Sequence, residues 1–310
     1  MKSSLKIFFT DFWNGFDMNQ NLIIELLRNN FDVQIDGSNP DLIFYSCYGF
    51  KFLDFNCHRI FYTAENVRPD HNECDFSLTF DYNDYGGKNM RLPLYLFSYL
   101  KHLESGHELE IYKYPKTKFC NMVVSNPNCK TRNDFFKILT KLKRVDSGGR
   151  FLNNMGGPIN DKLKFIAEYR FTIAFENASY PGYTTEKLVE PMLAGSIPIY
   201  WGNPKINTEF NSESFINVHE YSSLREVADH ILEIEENNKL YNEIKLKPWL
   251  INDRPTANQD YNLISNRLRI VINDLMNQHP IGEKTRRYSR RKKSLKQLIN
   301  KITKKPIWQI

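Results

Sequence analysis

The run YRFTIAFEN (residues 169–177) places the tightest constraint on how this chain can fold. Its near-continuous apolar character suits a strand covered on both faces, as in a parallel sheet with helices above and below. A polar loop follows, then TTEKLVEPMLAG, which reads as a helix ending at a glycine, then SIPIYWG, which reads as the next strand. Strand, helix and strand at these lengths form a βαβ unit. The same pattern runs through the rest of the chain. SLKIFFT (4–10), DVQI (32–35), DLIFYS (41–46), RIFYT (59–63) and FSLTF (76–80) read as strands, and residues 19–29 carry Leu22, Ile23, Leu26 and Leu27 at helical spacing. Further on, KFCNMVVS (118–125) and SFINV (214–218) read as strands, VDSGGRFLNN (145–154) as a strand entering a glycine turn, and RNDFFKILTKLK and residues 222–239 as helices. The expected class is α/β, with two Rossmann-like, doubly wound halves in series. A length of 310 residues fits two cores better than one. The boundary is expected near residues 112–117, giving domains over 1–114 and 115–275 and a basic tail over 276–310. Ligands in such sheets bind beyond the carboxyl ends of the strands, so the active site is expected in a cleft between the halves.

Charge separates the tail from the body. Residues 284–310 hold 11 Lys and Arg and no Asp or Glu, so a chain of net charge +6 has a body (residues 1–283) of −5. An acidic body argues against nucleic-acid binding as its function. Five cysteines, odd in number and with no pair at CxxC spacing, argue against a disulfide framework or zinc knuckle and suit a reducing cytosol. The opening residues MKSSLKIFFTDFWNGFD do not read as a signal peptide, and no stretch approaches the ~18 apolar residues of a membrane span. Aromatic residues make up 14% of the chain, which serves a sugar-stacking cleft or simply an aromatic core.

The segment FENASYPGYTTEKLVEPMLAGSIPIYWGNP (175–204) carries the most chemistry. Thr184 or Thr185 can cap the helix, whose N–H groups and positive dipole end can receive a phosphate. Lys187 offers a point charge, and Glu186 can accept hydrogen bonds from sugar hydroxyls. By these features alone the segment is either an anion-binding strand–loop–helix or an ordinary capped helix. The ordered string FENASYPGYTTEK followed by AGSIPIYWG resembles the signature of the α1,3/4-fucosyltransferases, glycosyltransferase family 10. DFWNGFD (11–17), FYTAEN (61–66), RLPLY (91–95) and SNPNCKTRNDF (125–135) resemble other segments of that family, so the similarity spans roughly residues 5–275.

The resemblance implies a GT-B type fold, with an acceptor-binding half followed by a GDP-fucose-binding half. It implies an inverting transferase moving L-fucose from GDP-β-L-fucose to the 3-OH, or the 4-OH, of N-acetylglucosamine in lactosamine-type glycans. Glu65 would be the general base. Ser125, Asn126, Arg132, Asn177, Tyr183, Glu186 and Lys187 would bind the donor, and Trp13 and Asn14 would line the acceptor side. Arg150 either reaches the cleft from its glycine turn or is solvated. No DxD-type pair lies near the donor motif, so no metal is required, with a divalent ion such as Mn²⁺ at most a stimulant; Arg132, Lys187 and the helix N-terminus supply positive charge instead. A transferase using another nucleotide sugar is the alternative.

The tail KTRRYSRRKKSLKQLINKITKKPIWQI (284–310) sets Leu295, Leu298, Ile299 and Ile302 at helical spacing among lysines, with Ile307 and Trp308 beyond Pro306. It suits an anionic membrane surface, and it resembles the basic tails of bacterial family members. The expected location is cytoplasmic, peripheral to the inner face of the membrane. A solvated tail and a nucleic-acid contact are the other readings of its charge.

Overall fold

The computed structural model describes residues 2–97, 99–100, 110–281 and 283–306. The chain forms two compact units, Met1–Leu92 with Ala257–Ile310, and Pro93–Thr256.

The first unit is built on a six-stranded, all-parallel sheet. Its strands are β1 (Ser3–Thr10), β2 (Phe31–Ile35), β3 (Leu42–Tyr45), β4 (His58–Tyr62), β5 (Phe76–Thr79) and β6 (Asn89–Arg91), in the order β2-β1-β3-β4-β5-β6. Helix α1 (Leu22–Arg28) links β1 to β2. Asn21 caps it by accepting from Ile24 N, and five of its seven residues are buried.

The second unit has a five-stranded parallel sheet, with β7 (Lys118–Met122), β8 (Val145–Ser147), β9 (Tyr169–Phe175), β10 (Ile197–Trp201) and β11 (Ile216–Asn217) in the order β11-β10-β9-β7-β8. Its helices are α2 (Lys130–Leu142), α3 (Lys162–Ile166), α4 (Glu186–Leu193), α5 (Leu224–Glu236) and α6 (Asn238–Lys245). β9 is central, as its apolar run predicts: Phe171, Ile173 and Phe175 lie in one core with Phe135, Leu139, Ile199, Val227 and Ile231. Read from its other edge, this sheet repeats the order of the first five strands of the first unit. In both, the order reverses beside the first strand, between β1 and β3 and between β7 and β9, and such a switch point leaves a crevice outside the carboxyl ends.

Three expectations change. The chain returns to its first unit after residue 256, so residues 257–275 do not belong to the second, and the boundary falls at 92/93 rather than near 112–117. The cause is α7 (Tyr261–Met276), which packs on α1: Ser265 Oγ donates to Leu26 O at 2.8 Å, Asn30 Nδ2 donates to Ser265 Oγ at 2.9 Å, and Tyr261 Oη donates to Glu25 O at 3.2 Å. The helix expected over 222–239 breaks at Asn237, whose side chain accepts from Lys239 N and Leu240 N and starts α6. The strand expected over 118–125 ends at Met122, because Gly149 lies against the next residues; a Cβ there would sit 2.0 Å from Val124 O.

The last helix, α8 (Glu283–Thr303), also belongs to the first unit. It rests on the body through its lysines, Lys292 Nζ meeting Glu73 Oε2 at 2.8 Å and Asp70 Oδ2 at 2.6 Å.

Candidate functional site

In the first unit, the connections after β1, β3 and β4 meet at the carboxyl end of the sheet. The connection after β4 carries Glu65, held by a tight local turn in which Thr63 Oγ1 accepts Glu65 N at 3.0 Å and Glu65 O accepts Val67 N at 2.7 Å. The Tyr48 hydroxyl, from the connection after β3, donates to Glu65 Oε1 at 3.0 Å. Trp13, from the connection after β1, packs edge-on against Tyr48 (6.4 Å between centroids, 72° between planes) and near Tyr62 (6.5 Å). It also joins Phe12 and Phe16, whose own rings stack at 4.1 Å. Glu65 and Trp13 are half-buried and Asn14 is exposed. This end of the sheet thus brings a partly accessible carboxylate and a partly accessible indole together, as a base beside a sugar-stacking ring requires.

In the second unit the switch point is ionic. Arg132, on α2, is 0% exposed. Its Nη1 donates to Phe175 O at 3.3 Å and Asn177 Oδ1 at 3.1 Å, and its Nη2 donates to Asn126 O. It ties the connection after β7 to the end of β9, and so brings Asn126 and Asn177 together; its Nε is buried without a hydrogen-bond partner. Ser125 is exposed, and Asn126 Oδ1 is occupied by Asn128 N at 2.8 Å.

The cap residue of α4 is bonded to a buried carboxylate. Glu176, 0% exposed, accepts Thr185 N at 2.6 Å on Oε1 and Thr185 Oγ1 at 2.7 Å on Oε2. Lys187 Nζ lies 3.3 Å from Glu176 Oε2 and 3.5 Å from Glu186 Oε1, and Lys162 Nζ is 3.8 Å from Glu186. Burial pushes the Glu176 carboxyl up, outweighing Lys187 and the Thr185 hydrogen bonds. Burial also acts to raise Glu186, but Lys187 and Lys162 outweigh it and bring that carboxyl down to about 2. Lys187, opposed by burial, is held charged by Glu186 and Glu176.

Two of the expected donor groups have partners within the chain. The helix expected to receive a phosphate is capped by Thr185, whose N–H and hydroxyl donate to the buried Glu176 carboxylate and whose Oγ1 accepts Lys187 N at 3.4 Å. Arg132, expected as a phosphate ligand, is 0% exposed and donates to Asn126 O, Phe175 O and Asn177 Oδ1. Tyr183 is 2% exposed. Arg150 is exposed.

Sequence reasoning missed Tyr48, Glu176, Lys162 and Asn203. Glu176 left a signal, a charge closing an apolar strand. Asn203 left a weaker one in the GNP turn: its Oδ1 accepts Gly182 N at 2.8 Å and its Nδ2 donates to Thr184 Oγ1 at 3.2 Å, which pins the two ends of the motif together. Gly202 allows this, since a Cβ there would fall 2.4 Å from Glu176 Cγ. Among the described residues no three His, Cys, Asp or Glu side chains converge as metal ligands.

Comparison with known proteins places this geometry in a family. The family model for the "Alpha-(1,3)-fucosyltransferase FucT N-terminal domain" matches residues 7–99, and that for "Glycosyltransferase family 10 (fucosyltransferase) C-term" matches residues 113–249. Among curated relatives, the α-(1,3)-fucosyltransferase FucT of Helicobacter pylori is 29% identical over 280 residues, covering 76% of this chain and 58% of the relative. A putative fucosyltransferase of Acanthamoeba polyphaga mimivirus is 31% identical over 72% of this chain and 37% of its own length. Human 4-galactosyl-N-acetylglucosaminide 3-alpha-L-fucosyltransferase 9 is 35% identical over 42% of this chain and 37% of its own length. This chain thus spans between about a third and somewhat over half of these relatives. A crystal structure of an α1,3-fucosyltransferase with GDP-fucose shares the fold, with a TM-score of 0.75, 23% identity, and coverage of 90% of this chain and 92% of that one. Two consecutive family models over most of the chain, on a fold of two doubly wound parallel sheets, show that it belongs to glycosyltransferase family 10, the fucosyltransferases.

Proposed function

We propose that this chain is an inverting α-(1,3)-fucosyltransferase that moves L-fucose from GDP-β-L-fucose to the 3-OH of N-acetylglucosamine in a lactosamine-type acceptor. The observation that carries the reading is Glu65, half-buried at the carboxyl end of the first sheet, hydrogen-bonded by Tyr48, on which Trp13 packs. A sugar hydroxyl is too weak an acid to attack unaided, so a carboxylate must take its proton as the bond forms. In the proposed step Glu65 accepts the proton of the acceptor hydroxyl, the hydroxyl oxygen bonds to the anomeric carbon, and the bond from that carbon to the β-phosphate oxygen breaks with its electron pair going to GDP. One displacement turns the β linkage into an α linkage, as in inverting glycosidases with a sugar hydroxyl in place of water.

The second unit takes the donor. Asn177 and Asn126 lie at its switch point, Arg132 sets their separation, and Lys187 with Glu186 faces the sugar and diphosphate. The charge of the leaving GDP is met by side chains in this scheme, and no metal is written into the step. The names of the Helicobacter and human relatives support both the 1,3 linkage and the acceptor class.

Incubation with GDP-fucose and a panel of lactosamine and isomeric acceptors, with linkage read by NMR, tests the reading. An α1,3-linked product is expected. Transfer from another nucleotide sugar but not from GDP-fucose would replace this reading by its alternative.

We also propose peripheral association with an anionic, cytoplasm-facing membrane through α8. Leu295, Leu298 and Ile302 are 58%, 55% and 73% exposed, while Lys292 is drawn onto the body. An apolar stripe flanked by Arg291 and Lys301 suits a lipid interface. No described helix is long and apolar enough to cross a membrane. Ile307 and Trp308, expected to assist, lie outside the described residues. Flotation with phosphatidylglycerol vesicles should lift the whole chain and leave a chain ending at residue 281 behind; equal flotation of both rejects the tail.

A further inference from the structure

We infer that Tyr48 is a positioning residue for Glu65, its hydroxyl fixing one carboxylate oxygen so that the base is held ionised and correctly turned; this rests on the reading of Glu65 given above. Tyr48 belongs to none of the motifs that carry the family resemblance. It lies in the connection after β3, in YSCYGF (45–50).

A clamp at the end of β1 places it. Asp11 adopts the left-handed conformation, φ +59°, which residues other than glycine rarely enter. The strain is held by three hydrogen bonds to the Tyr48 loop. Asp11 Oδ1 accepts Lys51 N at 3.0 Å, Asp11 Oδ2 accepts Phe52 N at 2.8 Å, and Asp11 O accepts Tyr48 N at 3.1 Å. Gly49 completes the clamp, since a Cβ at that position would sit 2.1 Å from Asp11 Oδ1. The backbone is thereby closed over the Asp11 carboxylate, and the Tyr48 ring reaches Glu65 with its hydroxyl 3.0 Å from Oε1. Trp13, two residues beyond Asp11, packs on the same ring.

A neutral hydroxyl donating to a carboxylate favours the ionised form and fixes the carboxylate plane. The Cys47 thiol, which also faces Glu65, is pushed up to about 11 by burial and stays neutral in the working range. Lys51 and Asp54 face Asp11. Tyr48 therefore ties the orientation of the base to the loop that bears Trp13.

The test compares full-length wild type, Tyr48→Phe, Glu65→Gln and a chain with 3-fluorotyrosine at position 48, measuring kcat, both KM values, GDP affinity and the pH profile. For Tyr48→Phe, kcat should fall roughly tenfold, the loss expected for a hydrogen bond to a charged group. KM for GDP-fucose and GDP affinity should hold, and the acidic limb of the profile should move to higher pH. The fluorinated ring, a stronger donor of the same shape, should keep kcat high and move that limb below the wild-type position; it decides the matter even if the Phe variant folds poorly. An inactive Glu65→Gln beside a Tyr48→Phe enzyme with kcat within twofold and an unmoved limb overturns the role of Tyr48 alone. A Glu65→Gln enzyme of wild-type activity overturns the base itself, and the role of Tyr48 with it.

Discussion

The two units use the same strand order and put their switch points to opposite uses. In the first, the connections after β1, β3 and β4 leave a carboxylate and an indole half-exposed at the sheet end. In the second, the end of β9 and the first turn of α4 gather Arg132, Glu176 and Lys187, with Lys187 paired to Glu176 and Glu186 and Arg132 bonded to neutral oxygens. The same topology can therefore build a chemically poised crevice or a rigid ionic mount. What differs is how many charges meet there. A lone carboxylate can stay near solvent, whereas a buried one must be matched by donors and cations or it destabilises the fold.

The comparison breaks most easily at the first unit. Glu65→Gln should lower kcat by about 10²–10⁴-fold, the usual worth of a general base, with Tm and GDP affinity unchanged. A large loss of GDP affinity would mean that Glu65 belongs to the donor side. Arg132→Ala should cost roughly 2–4 kcal/mol in kcat/KM and, unlike Glu65→Gln, should also lower Tm, because it leaves Phe175 O, Asn177 Oδ1 and Asn126 O without their shared donor. An activity within a few-fold of wild type would show that the ionic mount is dispensable. Gly202→Ala, which drives a Cβ into Glu176, should destabilise the chain by about 1–3 kcal/mol, an overpacking cost read in a thermal melt.

The fourth test is pH. Glu186 is depressed in the folded state to about 2 from an ordinary 4.5, so its stabilising contribution is complete above 4.5 and is lost as pH falls through about 2. Glu176, raised by burial, has the opposite sign: its ionised form costs stability once pH rises above its folded value. A Glu186→Gln chain should therefore melt lower than wild type above pH 5 and show a flatter decline between pH 4.5 and 2. Parallel curves would remove Glu186 from the mount. The smallest effect is expected from Lys292→Ala, about 0.5–1 kcal/mol for a part-exposed pair. It should be seen as faster hydrogen exchange in residues 288–303 with activity on soluble acceptors unchanged.

Much of the site was legible because the family's motifs are contiguous. FYTAEN carries Glu65, SNPN carries Ser125 and Asn126, and FENASYPGYTTEK carries Asn177, Glu186 and Lys187. Central placement of β9 was legible in its apolar run. Tyr48 was not, because its importance comes from a hydrogen bond across two strand connections and leaves no periodic or local trace. The enclosure of Arg132 was not legible either. The SNPN string marks the arginine but not that the carbonyls of Phe175 and Asn126 accept from it. The return of α7 was also hidden, because an amphipathic helix does not reveal which sheet it covers; Ser265 and its partners on α1 decide that.

The order of strands and helices, the acidic body with its basic tail, and the family itself were set by the sequence alone, since each rests on local periodicity, composition or a contiguous string. Tertiary structure alone decided that Glu176 bonds the cap of α4, that Tyr48 holds Glu65, and that Lys292 of α8 reaches the body while Leu295 and Leu298 face out. Each of these is a pairing of groups distant in the chain. Such pairings depend on how much surface each charge can keep in water, and that is fixed only when the sheets and helices have closed around it.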